Sequence, residues 1–277
     1  MNTCISTWNY WKSLQAEARL YPILEAIKEQ GFGIELWLDW TFEPDLLEPS
    51  RWPELKRACR NNVGLSLHSR LIHRFDLETI KEEIDLCRYL EADPLVIHPR
   101  SLGLNAGSWD ARMKQSPSYA ELAVIAEILS YSGERSVRLA LENGSMELLR
   151  SVLAACRSHL HSDCLGVCID TGHANLHHDL YPNPALEFLS AFQDRLLHLH
   201  FSDNYGAGDE HRSPGEGSVD WPAVMSKLKQ LEYRGKIVLE LFTPRPAEAG
   251  VGAAAFLEKI GRQAAEGEMP NSAEPPG

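Results

Sequence analysis

The sequence predicts an α/β protein folded as a single (β/α)8 barrel, and three observations carry that expectation. Short apolar runs alternate with helical stretches from one end of the chain to the other, eight times in all. The polar residues that close successive runs are mostly about 30 residues apart, the span of one strand–helix unit. Six consecutive runs, the third to the eighth, end in a histidine or a carboxylate: His68, His98, Glu142, Asp170, His200 and Glu240. An open doubly wound sheet, the competing architecture, leaves that regularity unexplained.

Taken in order, Cys4 to Trp8 reads as the first strand and Leu14 to Gln30 as a helix ended by Gly31. Gly33 to Leu38 is the second strand, followed by an acidic loop with Asp39, Glu43, Asp45 and Glu48. Trp52 to Arg60 is a short helix with Pro53 near its start. Val63 to Leu67 is the third strand, and Leu77 to Leu90 a helix with Asp76 as its N-cap. Leu95 to Ile97 is the fourth strand, with a long loop holding Gly103, Gly107 and Pro117. The helix Tyr119 to Ser130 ends at Gly133, and Val137 to Leu141 is the fifth strand. Met146 to His161 is helical, Leu165 to Ile169 is the sixth strand, and Pro184 to Phe192 is a helix. Leu196 to Phe201 alternates with period two as the seventh strand. Trp221 to Leu231 is the next helix, Ile237 to Leu241 the eighth strand, and Ala247 to Ala265 the last helix. The barrel domain is expected over residues 1–266, with a disordered tail over 267–277.

Composition bounds the function. A 277-residue chain with 44% hydrophobic and 24% charged residues is an ordinary globular protein. No apolar run reaches the roughly 18 residues of a membrane span. The start, MNTCISTWNY, lacks the basic and apolar blocks of a secretion signal, so the cytoplasm is the expected location. The net charge of −12 disfavours nucleic acid as a partner. The six cysteines include no CxxC pair and read as reduced structural thiols. A homo-oligomer is compatible with the sequence.

The chemistry gathers at the strand ends. The last residue of a barrel strand faces the catalytic mouth. Parity supports the inward aim: Asp170 shares its face with Cys168 and Gly166, and Glu240 with Val238. Buried carboxylates repel one another unless cations or protons neutralise them. Glu142, Asp170, His200 and Glu240 mix imidazole and carboxylate, which suits a divalent ion such as Mn, Mg, Zn or Co. Arg70, His73, Arg74, Arg100, Arg112, Lys114, Arg212 and Arg245 fall in loops at the same face, and so do Trp8, Trp37, Trp40 and Trp109. Glu35 and His198 lie inside strands and read as core residues.

The motifs LENG at 141–144, DTGHA at 170–174, HFSDN at 200–204, DEHRSPGEG at 209–217 and VLELF at 238–242 resemble the xylose isomerase-like TIM barrels. That superfamily holds sugar isomerases and epimerases together with AP endonuclease family 2. In its isomerase and epimerase branch, the resemblance implies one divalent metal on Glu142, Asp170, His200 and Glu240. The two glutamates would also move the sugar's proton, one on each face, through an enediolate. His68, His98, His173, Asp209, His211 and Arg212 would bind the substrate, a small-molecule sugar or sugar phosphate. In the endonuclease branch the same four positions hold one zinc of three. His68 and His98 join Glu142 on a second, and His173, Asp209 and His211 hold a third. One departure is His98-Pro99-Arg100, where both branches usually place glycine after His-Pro. The favoured expectation is a metal-dependent isomerase or epimerase. The alternatives are a zinc-dependent endonuclease acting on abasic DNA and a dehydratase on the same barrel.

Overall fold

The computed structural model describes residues 2–16, 20–38, 48–104, 116–159 and 161–266. Eight parallel strands close into one ring in chain order: β1 (Asn2–Ser6), β2 (Gly33–Trp37), β3 (Leu65–His68), β4 (Leu95–Ile97), β5 (Leu139–Glu142), β6 (Leu165–Asp170), β7 (Leu196–Phe201) and β8 (Lys236–Leu239). Cys4 is in register with Gly33 on one side and with Val238 on the other, so β1 pairs with both β2 and β8. The expected (β/α)8 barrel is the observed fold.

The helices follow in chain order as α1 (Trp11–Ala16), α2 (Leu20–Glu29), α3 (Trp52–Ala58), α4 (Leu77–Leu90), α5 (Tyr119–Glu134), α6 (Met146–Cys156), α7 (Thr171–Asn175), α8 (Pro184–Ala191), α9 (Trp221–Gln230) and α10 (Pro246–Glu266). Their apolar stripes explain their seating. In α2, Leu20, Ile23, Leu24 and Ile27 are buried at the i, i+3, i+4, i+7 spacing. Short polar side chains start several of the helices: on α4, Asp76 Oδ1 accepts the Thr79 amide at 2.7 Å, as expected. Ser118 and Glu121 form a capping box on α5.

Three expectations shift. The helix anticipated from Leu14 to Gln30 is two, and residues 17–19 between them lie outside the described residues. Gly133 does not end α5, which runs one residue further and is capped by Arg135. After β6 the chain turns at once into α7, a short helix absent from the expectation, with Asp170 as its N-cap. Asp39, Trp40, Glu43, Asp45, Gly107, Trp109, Arg112, Lys114 and the tail 267–277 lie outside the described residues.

The main core fills the space between ring and helices, with Leu36, Leu67, Ile97, Leu141, Ile169, Leu199 and Leu239 facing outward into it. Inside the ring, Val96, Ala140 and Cys168 form a small apolar layer. Leu197 packs on that layer where the β6–β7 register shifts between Val167 and Cys168. The same parity carries the residues two positions on, at the strand ends, to the mouth. The seam between first and last strands is clasped by Asn9, which donates to the Leu239 carbonyl at 3.0 Å and accepts the Leu241 amide at 2.8 Å. Among the described residues, no helix is long and apolar enough to cross a membrane.

Candidate active site

A cavity of about 280 Å³ opens at the C-terminal rim of the ring. It is lined by Trp8, Trp37, His68, Ile72, His73, His98, Glu142, His173, Asp209, His211 and Glu240. Each strand from β3 to β8 delivers one polar group at or beside its end, because every Cβ two residues apart along a strand points the same way.

Glu142 is the hub. Its Oε2 is 3.0 Å from Nε2 of His98 and 3.2 Å from Nε2 of His68. Its Oε1 is 3.1 Å from Nδ1 of His173 and 3.4 Å from Nδ1 of His200. Nδ1 of His200 also lies 3.5 Å from Oε2 of Glu240 and 4.0 Å from Oδ2 of Asp170. Burial pushes the Glu142 carboxyl up, but the surrounding imidazoles of His98, His200 and His173 hold it well below the usual carboxylate range. Glu240 is likewise lowered, against burial, by His200 and His211. Asp170 is raised, chiefly by burial.

The donor atoms suit a cation. Ligand atoms of Glu142, Asp170, His200 and Glu240 all lie within 4.8 Å of one another. Oε1 of Glu142, Oδ2 of Asp170 and Nδ1 of His200 are buried without a hydrogen-bond partner. Nδ1 of His200 faces its three carboxylates at distances too long or too oblique for hydrogen bonds. Ligands about 2.1 Å from a shared ion sit about 3.0–3.4 Å apart; Nδ1 of His200 lies 3.4, 3.5 and 4.0 Å from the three carboxylates. The four-residue set therefore fits a divalent ion. His173, Asp209 and His211 make a second such group, and His68, Glu142 and His200 a third.

Local structure explains the placements. Asp170 Oδ1 accepts the His173 amide at 2.9 Å as the cap of α7, leaving Oδ2 for the cluster. Asn143, next to Glu142 in LENG, accepts the Asp170 amide at 2.5 Å and donates to its carbonyl at 3.1 Å, locking the β5 and β6 ends together. Nδ1 of His68 donates to the Ser69 carbonyl at 3.0 Å and Nδ1 of His211 to the Glu240 carbonyl at 3.1 Å. Both rings therefore turn Nε2 toward a carboxylate. Nε2 of His211 sits 2.9 Å from Asp209 Oδ2, and that carboxylate raises the imidazole, against burial, to about 9.

The loop carrying Asp209 and His211 is built on Asp203. Its buried carboxylate accepts the amides of Asn204 at 2.9 Å, Gly215 at 2.9 Å and Val219 at 3.1 Å, and the Trp221 indole N–H at 2.8 Å. Gly217 packs so close that a Cβ there would collide with Asp203 Oδ1 and the Asn204 backbone. Directly after β4 the chain makes a 3-10 turn, Pro99–Leu102, and the glycine that ends it is Gly103 at φ +75° rather than the residue after Pro99.

Of the residues singled out in the sequence, nine converge: His68, His98, Glu142, Asp170, His173, His200, Asp209, His211 and Glu240. Arg212 does not join them at the inner cavity. Its guanidinium pairs with Glu210 at 3.0 Å and lies over the Tyr205 ring. Trp8 and Trp37 do line the cavity, as an aromatic wall requires.

Glu35 and His198 carry more than core packing. Oε1 of Glu35 is 3.0 Å from Nε2 of His200 and Oε2 is 2.9 Å from Nε2 of His198, all fully buried. Ser66 donates to the same carboxylate at 3.0 Å. The signal was present in the parity of β2, where Glu35 falls on the inward face between outward Ile34 and Leu36. An isolated charge there demands partners.

Comparison with known proteins places this architecture. A family model described as xylose isomerase-like TIM barrel matches residues 24–260. "Uncharacterized protein MJ1311" of Methanocaldococcus jannaschii is 28% identical over 177 residues, covering 61% of this chain and 57% of that protein. Fructoselysine 3-epimerase of Escherichia coli O157:H7 is 32% identical over 77 residues, 28% of each chain. The chain thus spans under two thirds of either curated relative. The crystal structure of a D-tagatose 3-epimerase-like protein superposes with a TM-score of 0.73 at 22% identity, covering 96% of this chain and all of that one.

Proposed function

The chain belongs to the xylose isomerase-like TIM barrel family, and from that membership we propose that it is a metal-dependent isomerase or epimerase of a sugar or sugar phosphate. The observation that carries this reading is the pair of buried glutamates. Glu142 ends β5 and Glu240 follows β8, three strands further around the ring; they line one cavity, and both approach Nδ1 of His200, at 3.4 and 3.5 Å.

A divalent ion held by Glu142, Asp170, His200 and Glu240 supplies Lewis acidity that makes a carbon acid next to a carbonyl easier to deprotonate. The residues do the rest. Glu142 and Glu240, held ionised by imidazoles, are bases able to take a proton from that carbon. Removal by one and return by the other on the opposite face inverts the carbon, which is epimerisation. Return to the former carbonyl carbon instead, with the neighbouring hydroxyl proton passing to the former carbonyl oxygen, moves the carbonyl, which is isomerisation. His68, His98, His173, Asp209 and His211 ring the cavity as partners for sugar hydroxyls, and Trp8 and Trp37 offer apolar faces to the ring.

A second reading, a zinc-dependent phosphodiesterase acting on abasic DNA, is favoured by one observation. His68 and His98 crowd Glu142 Oε2, while His173, Asp209 and His211 form a further ligand group. The net charge of −12 opposes it.

The test is metal-loaded protein with a panel of ketoses in deuterated water, followed by NMR. Deuterium appearing at the carbon beside the carbonyl, with inversion or carbonyl migration, is expected. Absence of exchange from every ketose, together with cleavage of an abasic-site duplex, would falsify the reading.

A further inference from the structure

We propose that His198 is a positioning residue: acting through Glu35, it fixes the His200 imidazole with its proton on Nε2 and its bare nitrogen toward the carboxylate cluster. The proposal rests on the divalent-ion part of the isomerase or epimerase reading and adds a proton arrangement beneath it.

The three side chains meet inside the ring, below the mouth. His198 and His200 are two residues apart on β7, so both point inward. Their rings lie edge to face, with centroids 5.4 Å apart and planes at 79°. Glu35 reaches them from β2, which β1 and β8 separate from β7 around the ring. All three residues are fully buried. A carboxylate in such a place is tolerated where donors meet both of its oxygens.

The donors are divided between those oxygens. Oε2 accepts the Ser66 hydroxyl at 3.0 Å and lies 2.9 Å from Nε2 of His198. Oε1 faces Nε2 of His200 at 3.0 Å, and neither atom has a hydrogen-bond partner among the described residues. Two lone pairs at that separation repel, so Nε2 of His200 carries the proton. A neutral ring then presents Nδ1 as a lone pair. That atom stands 3.4, 3.5 and 4.0 Å from the carboxylates of Glu142, Glu240 and Asp170, where an ion would sit.

The same reasoning fixes His198. Its Nε2 faces the carboxylate, while its Nδ1 is buried without a partner among the described residues. A proton on Nδ1 would have no acceptor, so the ring is neutral and donates from Nε2. His198 and Ser66 together occupy Oε2 and leave Oε1 for His200. An apolar side chain at 198 would leave Oε2 one donor short and free the carboxylate to turn away from His200.

The test uses the full chain, labelled with ¹⁵N-histidine and loaded with Zn²⁺. Long-range ¹H–¹⁵N correlation should show His198 and His200 both protonated at Nε2, the His198 signals being assigned by their loss in His198→Gln. Zn²⁺ affinity, by competition with a chelator, should fall about five-fold or more in His198→Leu, which fills the space without a donor. It should return to within about two-fold of wild type in His198→Gln, which keeps an N–H close to the place of Nε2. Packing alone would not separate these two variants. Ser66→Ala removes only the other donor to Oε2 and should weaken Zn²⁺ binding about two-fold or more. The proposal is overturned if either ring carries its proton on Nδ1, if His198→Leu binds Zn²⁺ as wild type does, or if His198→Gln is as weak as His198→Leu. Should neither His198 variant fold, wild-type affinity in Ser66→Ala overturns it. Neither readout needs turnover. The expected tautomers without ketose exchange in deuterated water remove only the isomerase or epimerase reading; exchange with the other tautomers removes only this inference.

Discussion

Nε2 of His200 stands 3.0 Å from Oε1 of Glu35, on the side of the imidazole away from the carboxylate cluster. The carboxylate backs the ring electrostatically, with Nδ1 turned toward Glu142, Asp170 and Glu240. A carboxylate behind a ligating histidine fixes its tautomer and raises its basicity. Glu35→Gln keeps the shape and removes the charge. Metal affinity, measured by competition with a chelator, is expected to fall about 10- to 100-fold. An unchanged affinity would reduce Glu35 to a packing residue.

Glu240→Gln tests the proton transfer. The change preserves the volume beside Ser6, whose hydroxyl donates to Oε1 at 3.4 Å. Loss of a general base costs about 10²- to 10⁴-fold in rate, so kcat should fall at least that far while thermal melting stays within a few degrees. Wild-type rates in this variant would exclude the assigned role.

His211→Ala discriminates the two readings of the histidines. With one ion on Glu142, Asp170, His200 and Glu240, the variant retains about one divalent equivalent by elemental analysis. Wild-type protein holding three equivalents, one of them lost on substitution, would favour the phosphodiesterase.

Glu83 of α4 makes stability depend on pH. Burial pushes its carboxyl up to about 7, against the Ser69 hydroxyl, the Arg70 amide and the Arg70 charge. The folded value lies above the unfolded one, so folding favours the protonated form. That contribution is complete below the unfolded value of 4.5 and is lost as pH rises through about 7. Between about pH 5 and pH 8, urea titrations should show wild type losing about 2 to 3 kcal/mol more than Glu83→Gln. Parallel pH profiles for the two proteins would contradict this.

Asp203→Ala should destabilise the fold by about 3 kcal/mol, because three buried N–H donors and one part-buried one lose a charged acceptor. Since the same loop carries Asp209 and His211, substrate affinity should fall in the fraction that remains folded. A melting temperature equal to wild type would show that water replaces the carboxylate.

Much of this architecture could be read from the chain because strands and helices leave different periods. The apolar run at β7 lies where alternation placed it, those at β5 and β6 overlap their expected spans, and the polar residues that close them are those at the mouth. Local signals held where a side chain caps its own helix, as Asp76 does. They failed where distant residues decide. Gly133 continues α5 because tertiary packing outweighs its helix-breaking tendency. Arg212 lies one residue beyond His211 yet turns outward, since the antiparallel pairing of Asp203 with Arg212 sends neighbouring side chains to opposite faces. The partnership of Glu35 with His198 and His200 joins residues 163 and 165 positions apart, and no window of sequence brings them together.

The Asn9 clasp has a bearing on how activity arises. Glu142, at the end of β5, emerges early, while Glu240 follows the last strand of the ring, where Ser6 donates to it and Asn9 bonds its neighbours Leu239 and Leu241. Until that seam is drawn shut, Glu142, Asp170 and His200, on three neighbouring strands, lack the fourth member of their cluster. Catalytic competence should therefore switch on late and all at once, with the fastening of the ends, and not accumulate strand by strand.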